Sequence, residues 1–390
     1  MSDNNTSIYL IAGEPSGDVL GGRLIKGLRK LAGDDITISG VGGQNMAAEG
    51  LKSLFPMHEL SIMGIVEVLP KIPALLSRIK QTTADIIEKN PDVVVTIDAP
   101  DFCFRVAKRL AGKGIPIVHY VAPSVWAWRP GRAKKVAALV DHVMCLLPFE
   151  PPYFTREGVD ATFVGHSILE SGADGGDGPA FRSRHNIPTN APLLCVLPGS
   201  RHGEVSRLMG IFGETLRGVQ NQIEGLHIVL PTISTVADHV RSESADWHNT
   251  LVVEGDSEKY DAFAASDASL AASGTVSLEL ALAGVPTIIA YRMAWISAYI
   301  ARKFVKLDYV SIINLILKRE AMPELLLEDC TVEKLTPAVA GLLKSDQAQA
   351  DQKAAFADAL EQLSADDVIP SDVAAQVVYT VAIKAKSQSK

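Results

Sequence analysis

The sequence predicts an α/β protein of two doubly wound parallel-sheet domains that face a cleft. Short runs rich in valine and isoleucine alternate with helical segments, as is typical of a parallel sheet covered by helices on both faces. A glycine-rich acidic stretch, SGADGGDG, separates two such series and is predicted to be a linker. The length of 390 residues suits two or three domains.

The first series predicts an N-terminal domain at residues 1–170. A helix follows its first strand, and further helices are expected at residues 77–90 and 102–114. The predicted strands lie at residues 7–13, 35–42, 91–98, 116–123, 142–148 and 161–166.

The second series predicts a C-terminal domain at residues 179–366. Beyond residue 311 the pattern is helical, and the final segment, residues 367–390, is expected to pack as a helix on the N-terminal domain or on a second subunit of a homodimer. The predicted strands lie at residues 193–198, 227–233, 250–255, 268–273 and 286–291.

Composition excludes several classes of protein. The net charge of −8 argues against a nucleic-acid partner, because neutralising phosphates requires clustered lysine and arginine. The 4 cysteines form no Cys-x-x-Cys pair, which is typical of reduced cytoplasmic thiols and predicts no metal site. The polar start, MSDNNTS, lacks the apolar core of a signal peptide. Since no segment reaches the roughly 20 apolar residues of a membrane span, we expect a soluble or peripheral protein.

The segment AASGTVSLELALAGVP, residues 271–286, predicts a strand, a tight turn and a helix in succession. Such a unit aims backbone N–H groups and the positive end of a helix dipole out of the sheet. Ser273 and Thr275 add hydroxyl donors, and Gly274 lets an anion approach. Glu279 can accept hydrogen bonds from vicinal hydroxyls. The pattern suits a nucleotide diphosphate with its ribose, and the alternative is a plain turn with N-caps.

A second turn suited to an anion lies in the motif LPGSR. Gly199 and Ser200 can present backbone amides, and Arg201 can neutralise a phosphate in a bidentate contact. Glu204 follows on the next helix, and Asp256, at another strand end, could hold a base or a ribose. Because both turns follow strands of one parallel sheet, we expect them to face the same crevice.

The first turn of the N-terminal domain, GEPSGD, carries two acids and a serine between glycines. It lacks the G-x-G-x-x-G pattern, which argues against a dehydrogenase. Its position at the carboxyl edge of a parallel sheet predicts binding of sugar hydroxyls, and the alternative is a turn whose aspartate caps the next helix. The residues concerned are Gly13, Glu14, Ser16, Gly17 and Asp18.

Two aspartates follow the third strand in the motif IDAPDF. Asp98 ends the strand, where a carboxylate could act as a general base toward an alcohol. Asp101 precedes a helix and is expected to be its N-cap, although which of the two is the base stays open. The D-x-x-D spacing differs from the D-x-D pair with which some glycosyltransferases hold a divalent cation.

Three further features leave alternatives open. The stretch HYVAPSVWAWRPGR, with Arg129 and Arg132, could contact a sugar or a phosphate or pack the core. His119 and His166, at strand ends, are expected to be structural. The segment from Met63 to Leu76 predicts either a core helix pair or an exposed apolar surface with a basic rim of Lys71, Arg78 and Lys80. No hydrolase or kinase motif appears.

The chain resembles the GT-B glycosyltransferases, which have two Rossmann-like domains. The shared features are two parallel-sheet domains, a second domain suited to a diphosphate and a carboxylate on the rim of the first domain. More narrowly, the chain resembles the bacterial lipid-A-disaccharide synthase family along nearly its whole length. The motifs that carry the resemblance are AGEPSGD, the MG and EVL pieces between residues 63 and 69, IDAPDF, HYVAPSVWAWRPGR, LPFE, LPGSR and ASGTVSLE.

The resemblance implies an inverting transfer without cofactor or metal ion. The 2,3-diacylglucosamine unit of UDP-2,3-diacylglucosamine would move to the 6-hydroxyl of 2,3-diacylglucosamine 1-phosphate, forming the β-1,6-linked lipid A disaccharide 1-phosphate and releasing UDP. Asp98 would be the general base, and Arg201 would stabilise the charge growing on the diphosphate as the cleft closes. The residues implied to hold the donor are Ser200, Arg201, Ser273 and Thr275 on the diphosphate, Glu279 on the ribose and Asn314 on a further donor group.

The family also implies attachment to the cytoplasmic face of the inner membrane of a Gram-negative bacterium, through the segment from Met63 to Leu76. One departure concerns the segment from Ser311 to Arg319, SIINLILKR, where the family usually reads close to S-L-P-N-L-[IL]-A-G-R. The loop is expected to take a different course, which leaves the role of Asn314 open.

Two rival functions fit the same residues. A UDP-sugar epimerase, or a glycosyltransferase with a water-soluble acceptor, would not need an apolar surface between Met63 and Leu76. A non-catalytic regulator that binds a sugar nucleotide would tolerate the loss of Asp98.

Overall fold

The computed structural model describes residues 5–60, 72–128, 131–293, 308–365 and 368–388 and contains two compact units. Unit 1 comprises Met1–Ser167 and Leu363–Lys390, and unit 2 comprises Ile168–Gln362. The stretch predicted as a linker belongs to unit 2, where the Asp177 carboxylate accepts a hydrogen bond from Ala180 N and begins a helix. Within the described ranges, no helix is both long and apolar enough to cross a membrane.

Unit 1 is built on a six-stranded parallel sheet in the order β2-β1-β3-β4-β5-β6. Alternate residues of the first strand pack into different cores, with Ile8 and Leu10 on one face and Tyr9 and Ile11 on the other. This burial on both faces explains the continuous apolar runs in the sequence. The strands are β1 (Thr6–Ala12), β2 (Ile36–Val41), β3 (Val93–Ile97), β4 (Ile117–Tyr120), β5 (His142–Cys145) and β6 (Asp160–Phe163).

Helices cover both faces of this sheet. The first helix has an apolar face, through which Leu24, Ile25 and Leu28 pack into one core. The helices are α1 (Pro15–Ala32), α2 (Gln44–Ala48), α3 (Ile72–Lys89), α4 (Pro100–Leu110), α5 (Val125–Trp128), α6 (Arg132–Ala137) and α7 (Pro151–Thr155), with a single 3₁₀ turn at Met57–Glu59. A second 3₁₀ turn, Ser167–Glu170, spans the point in the chain where unit 2 begins.

Unit 2 has a second six-stranded parallel sheet, in the order β12-β11-β10-β7-β8-β9. The strands are β7 (Leu193–Leu197), β8 (His227–Thr232), β9 (Thr250–Glu254), β10 (Ala268–Ala272), β11 (Thr287–Tyr291) and β12 (Glu324–Leu326). The sequence did not predict β12, because three half-buried residues give no periodic signal. The helices are α8 (Gly178–Arg184), α9 (His202–Gln220), α10 (Ala237–Glu243), α11 (Asp256–Ala265), α12 (Val276–Leu282), α13 (Ile312–Leu317), α14 (Val332–Lys344) and α15 (Asp346–Leu363).

The last helix, α16 (Pro370–Gln388), packs on α1 in unit 1. The two helices approach closely at Gly27, where an added Cβ would lie 2.9 Å from Ser371 O and 3.1 Å from Ala375 Cβ. An ion pair between Lys30 and Asp372 adds to this contact. The homodimer stays a prediction, since the helix packs here on its own chain.

Each sheet has one point where the strand order reverses. In unit 1 it lies between β1 and β3, and in unit 2 between β7 and β10. At such a switch point the connections leave the two strands toward opposite faces, which opens a crevice at the carboxyl edge where ligands bind. The turns with the predicted site residues follow these four strands, so the topology brings them together in pairs.

Gly40 sets the close pairing of β1 with β2. Its φ is +143°, and an added Cβ would lie 1.8 Å from Leu10 O. We expect Gly40→Ala to lower the free energy of unfolding by about 2 kcal/mol or more, since neither strand can move aside. As a matched control, Gly341→Ala on α14 meets nothing within 4 Å and should raise it by up to about 1 kcal/mol. Urea unfolding measures both, and equal stabilities would contradict this register.

Candidate active site

A cavity of about 590 Å³ lies at the carboxyl edge of the unit 2 sheet, at the switch point. It brings together eight residues predicted from the sequence: Gly199, Ser200, Glu204, Asp256, Ser273, Gly274, Thr275 and Glu279. The turns after β7 and β10 form two of its walls. The remaining lining residues are Leu197, Pro231, Thr232, Ile233, Ser234, Glu254, Gly255, Lys259, Ala272 and Val276.

The turn after β7 is held by a carboxylate of the next helix. Glu204 Oε2 accepts a hydrogen bond from Ser200 N at 3.4 Å, and Glu204 Oε1 pairs with Arg201 Nη1 at 3.2 Å. A protein carboxylate therefore contacts the donors that an incoming anion would use. Gly199, with φ +115° and Glu204 Cβ 2.8 Å from where its own Cβ would be, permits this approach. Arg201 does not line the cavity and reaches its rim through Glu204.

The turn after β10 is open to the cavity. Gly274 and Thr275 are exposed, and nothing lies within 4 Å of the position of a Cβ on Gly274. Ser277 Oγ donates to Gly274 O at 2.8 Å, which fixes the turn from the helix side. The arrangement leaves room for an anion against the backbone at this point.

Glu279 is anchored by two donors from α11. Lys259 Nζ lies 3.1 Å and Tyr260 OH 3.3 Å from Glu279 Oε1, and Lys259 also pairs with Asp256 at 3.2 Å. Sequence reasoning missed Lys259. The available signal was its i+3 spacing from Asp256 on a helix that begins at a strand end, which places both side chains on one face.

The unit 1 switch point joins the turns after β1 and β3. A Cβ on Gly13 would lie 2.7 Å from Ala99 Cβ, and one on Gly17 would lie 3.2 Å from Ile97 O, so both glycines allow close contact of the turns. Ser16 Oγ reaches Asp98 Oδ2 at 3.5 Å. Burial, together with the carboxylates of Asp98 and Glu14, raises the pKa of the Cys103 thiol.

Asp98 has a left-handed backbone with φ 50°, and Ala99 follows with φ 42°. Consecutive left-handed residues other than glycine are strained and concentrate at functional sites. Asp98 is half-buried, whereas Asp101 is exposed in the first turn of α4. The expectation that Asp101 is the N-cap was wrong, because the N-cap position is Ala99 and no side chain caps it.

Asp18 is corrected from a sugar ligand to a structural group. It is buried, and its carboxylate accepts hydrogen bonds from Gly43 N at 2.7 Å, Asn45 N at 2.8 Å, Asn45 Nδ2 at 2.9 Å and Met46 N at 3.1 Å. These donors begin α2, so Asp18 caps that helix rather than its own. Four donors fill the acceptor capacity of a carboxylate.

Asn314 is corrected in the same way. It is fully buried, and Oδ1 accepts from Ala321 N at 2.7 Å and Met322 N at 2.9 Å, while Nδ2 donates to Met322 O and Glu324 Oε1, both at 2.8 Å. These four bonds use every donor and acceptor site of the amide. Asn314 therefore fixes the loop between α13 and β12 and has no group left for a donor substrate.

The motif LPFE provides a buried anchor for the turn after β5. Glu150, 4 % exposed, accepts hydrogen bonds from Trp126 Nε1 at 3.0 Å and from Leu146 N and Leu147 N at 3.1 Å. Burial raises the pKa of Glu150 to about 7, although these hydrogen bonds act to lower it. The tryptophan segment after β4 is thus tied to the turn after β5 by one carboxylate.

The two histidines are buried and neutral. Burial, with a contribution from Arg132, lowers the pKa of His119 to about 3, and its Nδ1 lies 2.8 Å from Thr96 Oγ1. Burial lowers the pKa of His166 to about 4. Arg129 and residues 63–71 of the segment from Met63 to Leu76 lie outside the described residues. In the part of the chain that the structure describes, no group of three or more His, Cys, Asp or Glu side chains could hold a metal ion.

Glu150 should give the free energy of unfolding a pH-dependent contribution. Its folded pKa of about 7 lies above the ordinary 4.5, so the folded state binds the proton more tightly, and this contribution is lost as the pH rises through about 7. Glu150→Gln cannot ionise. In urea unfolding, the stability of the variant relative to wild type should therefore increase between about pH 5 and pH 8, by roughly 3 kcal/mol at most. A relative stability independent of pH would contradict this assignment.

Comparison with known proteins finds similar sequences along nearly the whole chain. Residues 8–377 match the family model of lipid-A-disaccharide synthetase. The lipid-A-disaccharide synthase of Rhodospirillum centenum is 51% identical over 380 residues, covering 97% of this chain and 95% of the relative. That of Paramagnetospirillum magneticum is 48% identical over 385 residues, covering 98% and 99%.

Solved structures share the fold at low sequence identity. A putative UDP-N-acetylglucosamine 2-epimerase from Listeria monocytogenes superposes with a TM-score of 0.64 at 14% identity, covering 99% of this chain and 98% of its own. A glycosyltransferase from Rickettsia africae gives 0.60 at 12% identity, covering 98% and 100%. They confirm the predicted fold of two parallel-sheet domains, and the family match establishes that this chain belongs to the lipid-A-disaccharide synthetase family.

Proposed function

We propose that this chain is a hexosyltransferase that moves 2,3-diacylglucosamine from UDP-2,3-diacylglucosamine to the 6-hydroxyl of 2,3-diacylglucosamine 1-phosphate and releases UDP. Family membership over residues 8–377 supports the reaction. The observation that carries the donor site is the 590 Å³ cavity, into which two small-residue turns and a carboxylate project. Its volume lies within the range of about 300–1,000 Å³ common for ligand sites.

The cavity suits the two polar parts of UDP. The backbone and hydroxyl donors of Ser200, Ser273 and Thr275 would hold the diphosphate, and Glu279 would accept hydrogen bonds from the ribose. Arg201, the N-cap residue of the 19-residue helix α9, would swing from Glu204 to the phosphate oxygens. Donors fixed before the reaction stabilise the negative charge that grows on UDP as the glycosidic bond breaks.

Asp98 would supply the base. The acceptor oxygen O6 attacks the anomeric carbon from the face opposite to UDP, its proton passes to Asp98, and the bond from the anomeric carbon to UDP breaks. A single displacement inverts the configuration at that carbon. The half-buried position of Asp98 and its strained backbone support this role over the exposed Asp101.

We also propose that the protein works on the cytoplasmic face of the inner membrane, where both acylated substrates would be presented. Ile72 and Leu76, at the start of α3, are 40% and 43% exposed, which supports an apolar contact there. Arg78 does not extend the expected basic rim, because it makes a bidentate pair with Glu59 at 2.8 and 2.9 Å.

The reaction is tested by measuring UDP release from UDP-2,3-diacylglucosamine, with and without the acceptor and with EDTA present. We expect release that requires the acceptor, resists EDTA and yields a disaccharide. Release without acceptor would favour hydrolysis or epimerase-like chemistry instead. Binding of UDP without any release would favour a regulator.

Asp98→Asn and Asp101→Asn form a matched pair that separates the two aspartates. We expect Asp98→Asn to lower kcat by about 100-fold or more, since general-base catalysis contributes on that order, and to leave UDP affinity unchanged. Asp101→Asn should stay within a few-fold of wild type. Turnover and calorimetric UDP titration measure both effects, and loss of turnover in Asp101→Asn alone would transfer the role to Asp101.

A further inference from the structure

We propose that Lys259 and Tyr260 are positioning residues that hold the Glu279 carboxylate for the ribose and thereby set the preference for ribonucleotides. The inference rests on the proposed function, because it takes the unit 2 cavity as the UDP site. Nothing in the resemblance to the family assigned a role to either residue. The two residues are adjacent on α11, and Lys259 lines the same cavity as Glu279.

The geometry divides the two oxygens of Glu279. Both donors fall on Oε1, with Lys259 Nζ at 3.1 Å and Tyr260 OH at 3.3 Å. Within the described residues, no hydrogen bond of the protein falls on Oε2. One oxygen therefore fixes the side chain, and the other can accept a ribose hydroxyl.

The charges keep both donors protonated. Burial alone would lower the pKa of Lys259, but the charge of Glu279 raises it overall, with smaller contributions from Tyr260 and Asp256. Burial and Glu279 likewise raise the pKa of Tyr260. An ammonium and a phenol thus remain donors to Glu279 at neutral pH. The Lys259 ammonium also lies 4.5 Å from the centre of the Tyr260 ring, which couples the pair.

Preorganisation explains why such a pair affects recognition. A free glutamate side chain loses conformational entropy when a ligand orders it. Donors that order it beforehand remove this cost from binding. The resulting preference is for a ligand with hydroxyls at this point, because a ribose lacking one leaves a charged acceptor unpaired.

The experiment compares the affinities of UDP and of its 2′-deoxy and 3′-deoxy analogues by calorimetry. We expect wild type to bind UDP at least about 10-fold more tightly than it binds one or both analogues, because a hydrogen bond to a charged group contributes on that order. Lys259→Met should reduce that ratio to about 3-fold or less, Tyr260→Phe should reduce it partly, and Lys259→Arg should restore it. The matched control is Lys334→Met, an ion-paired lysine of unit 2 outside the cavity, which should keep the wild-type ratio.

A double-mutant cycle separates positioning from a merely structural role. Glu279→Gln sets the lowest ratio, and Lys259→Met in that background should change it no further. In turnover, Lys259→Met should raise KM for the donor and leave kcat nearly unchanged, as for lost ground-state binding. A wild-type ratio in both Lys259→Met and Tyr260→Phe would overturn this inference while UDP binding stands. Absence of UDP binding to wild type would instead overturn the proposed function.

Discussion

The reversal of strand order within each parallel sheet is the constraint on which the sites depend. Connections from β1 and β3 in unit 1, and from β7 and β10 in unit 2, leave the carboxyl edge in opposite directions, so a crevice opens between them. The residues proposed to bind or react lie in or just after one of these turns, except Lys259 and Tyr260, which lie on α11 after the edge strand β9. The topology of the sheets thus determines where the proposed sites lie, and the side chains at those points determine what they can bind.

Hydrogen-bond capacity separates the structural acids and amides of this protein from the acid proposed to bind the ribose. Asp18 and Asn314 each make four hydrogen bonds to protein groups, and Glu150 accepts three while buried. Leaving such groups buried and unpaired is costly, so these residues are fully used in holding loops. Glu279 differs because its two protein donors share one oxygen. The same residue type therefore fixes a loop in one place and can recognise a ligand in another.

Most of the fold could be predicted from the sequence, because buried parallel strands are continuous apolar runs and their spacing reveals the alternation with helices. Eight of the predicted site residues line one cavity, as expected. They could be predicted because a turn at the end of a strand is visible in the local sequence. The roles of Asp18 and Asn314 were not predictable from the sequence. The hydrogen-bond partners of Asp18 lie 25 or more residues away in the chain. Those of Asn314 depend on how the chain bends in a segment that departs from the family pattern. Lys259 was missed because a lysine on a helix is usually a solvent-exposed residue, and only the structure shows its contact with Glu279.

The backbone of unit 1 departs from regular geometry near the proposed base. Asp98 and Ala99 are left-handed after β3, and Val121, a β-branched residue, has φ 77° after the neighbouring β4. Each such residue costs roughly 1–3 kcal/mol and persists only where its surroundings determine it. The adjoining strands supply this determination, since Asp98 N donates to Tyr120 O at 2.9 Å and Val121 N to Met144 O at 3.2 Å. Because packing and sheet hydrogen bonds offset the strain, the backbone fixes the direction of the Cα–Cβ bond of Asp98 before any substrate binds, which favours the positioning that a general base requires.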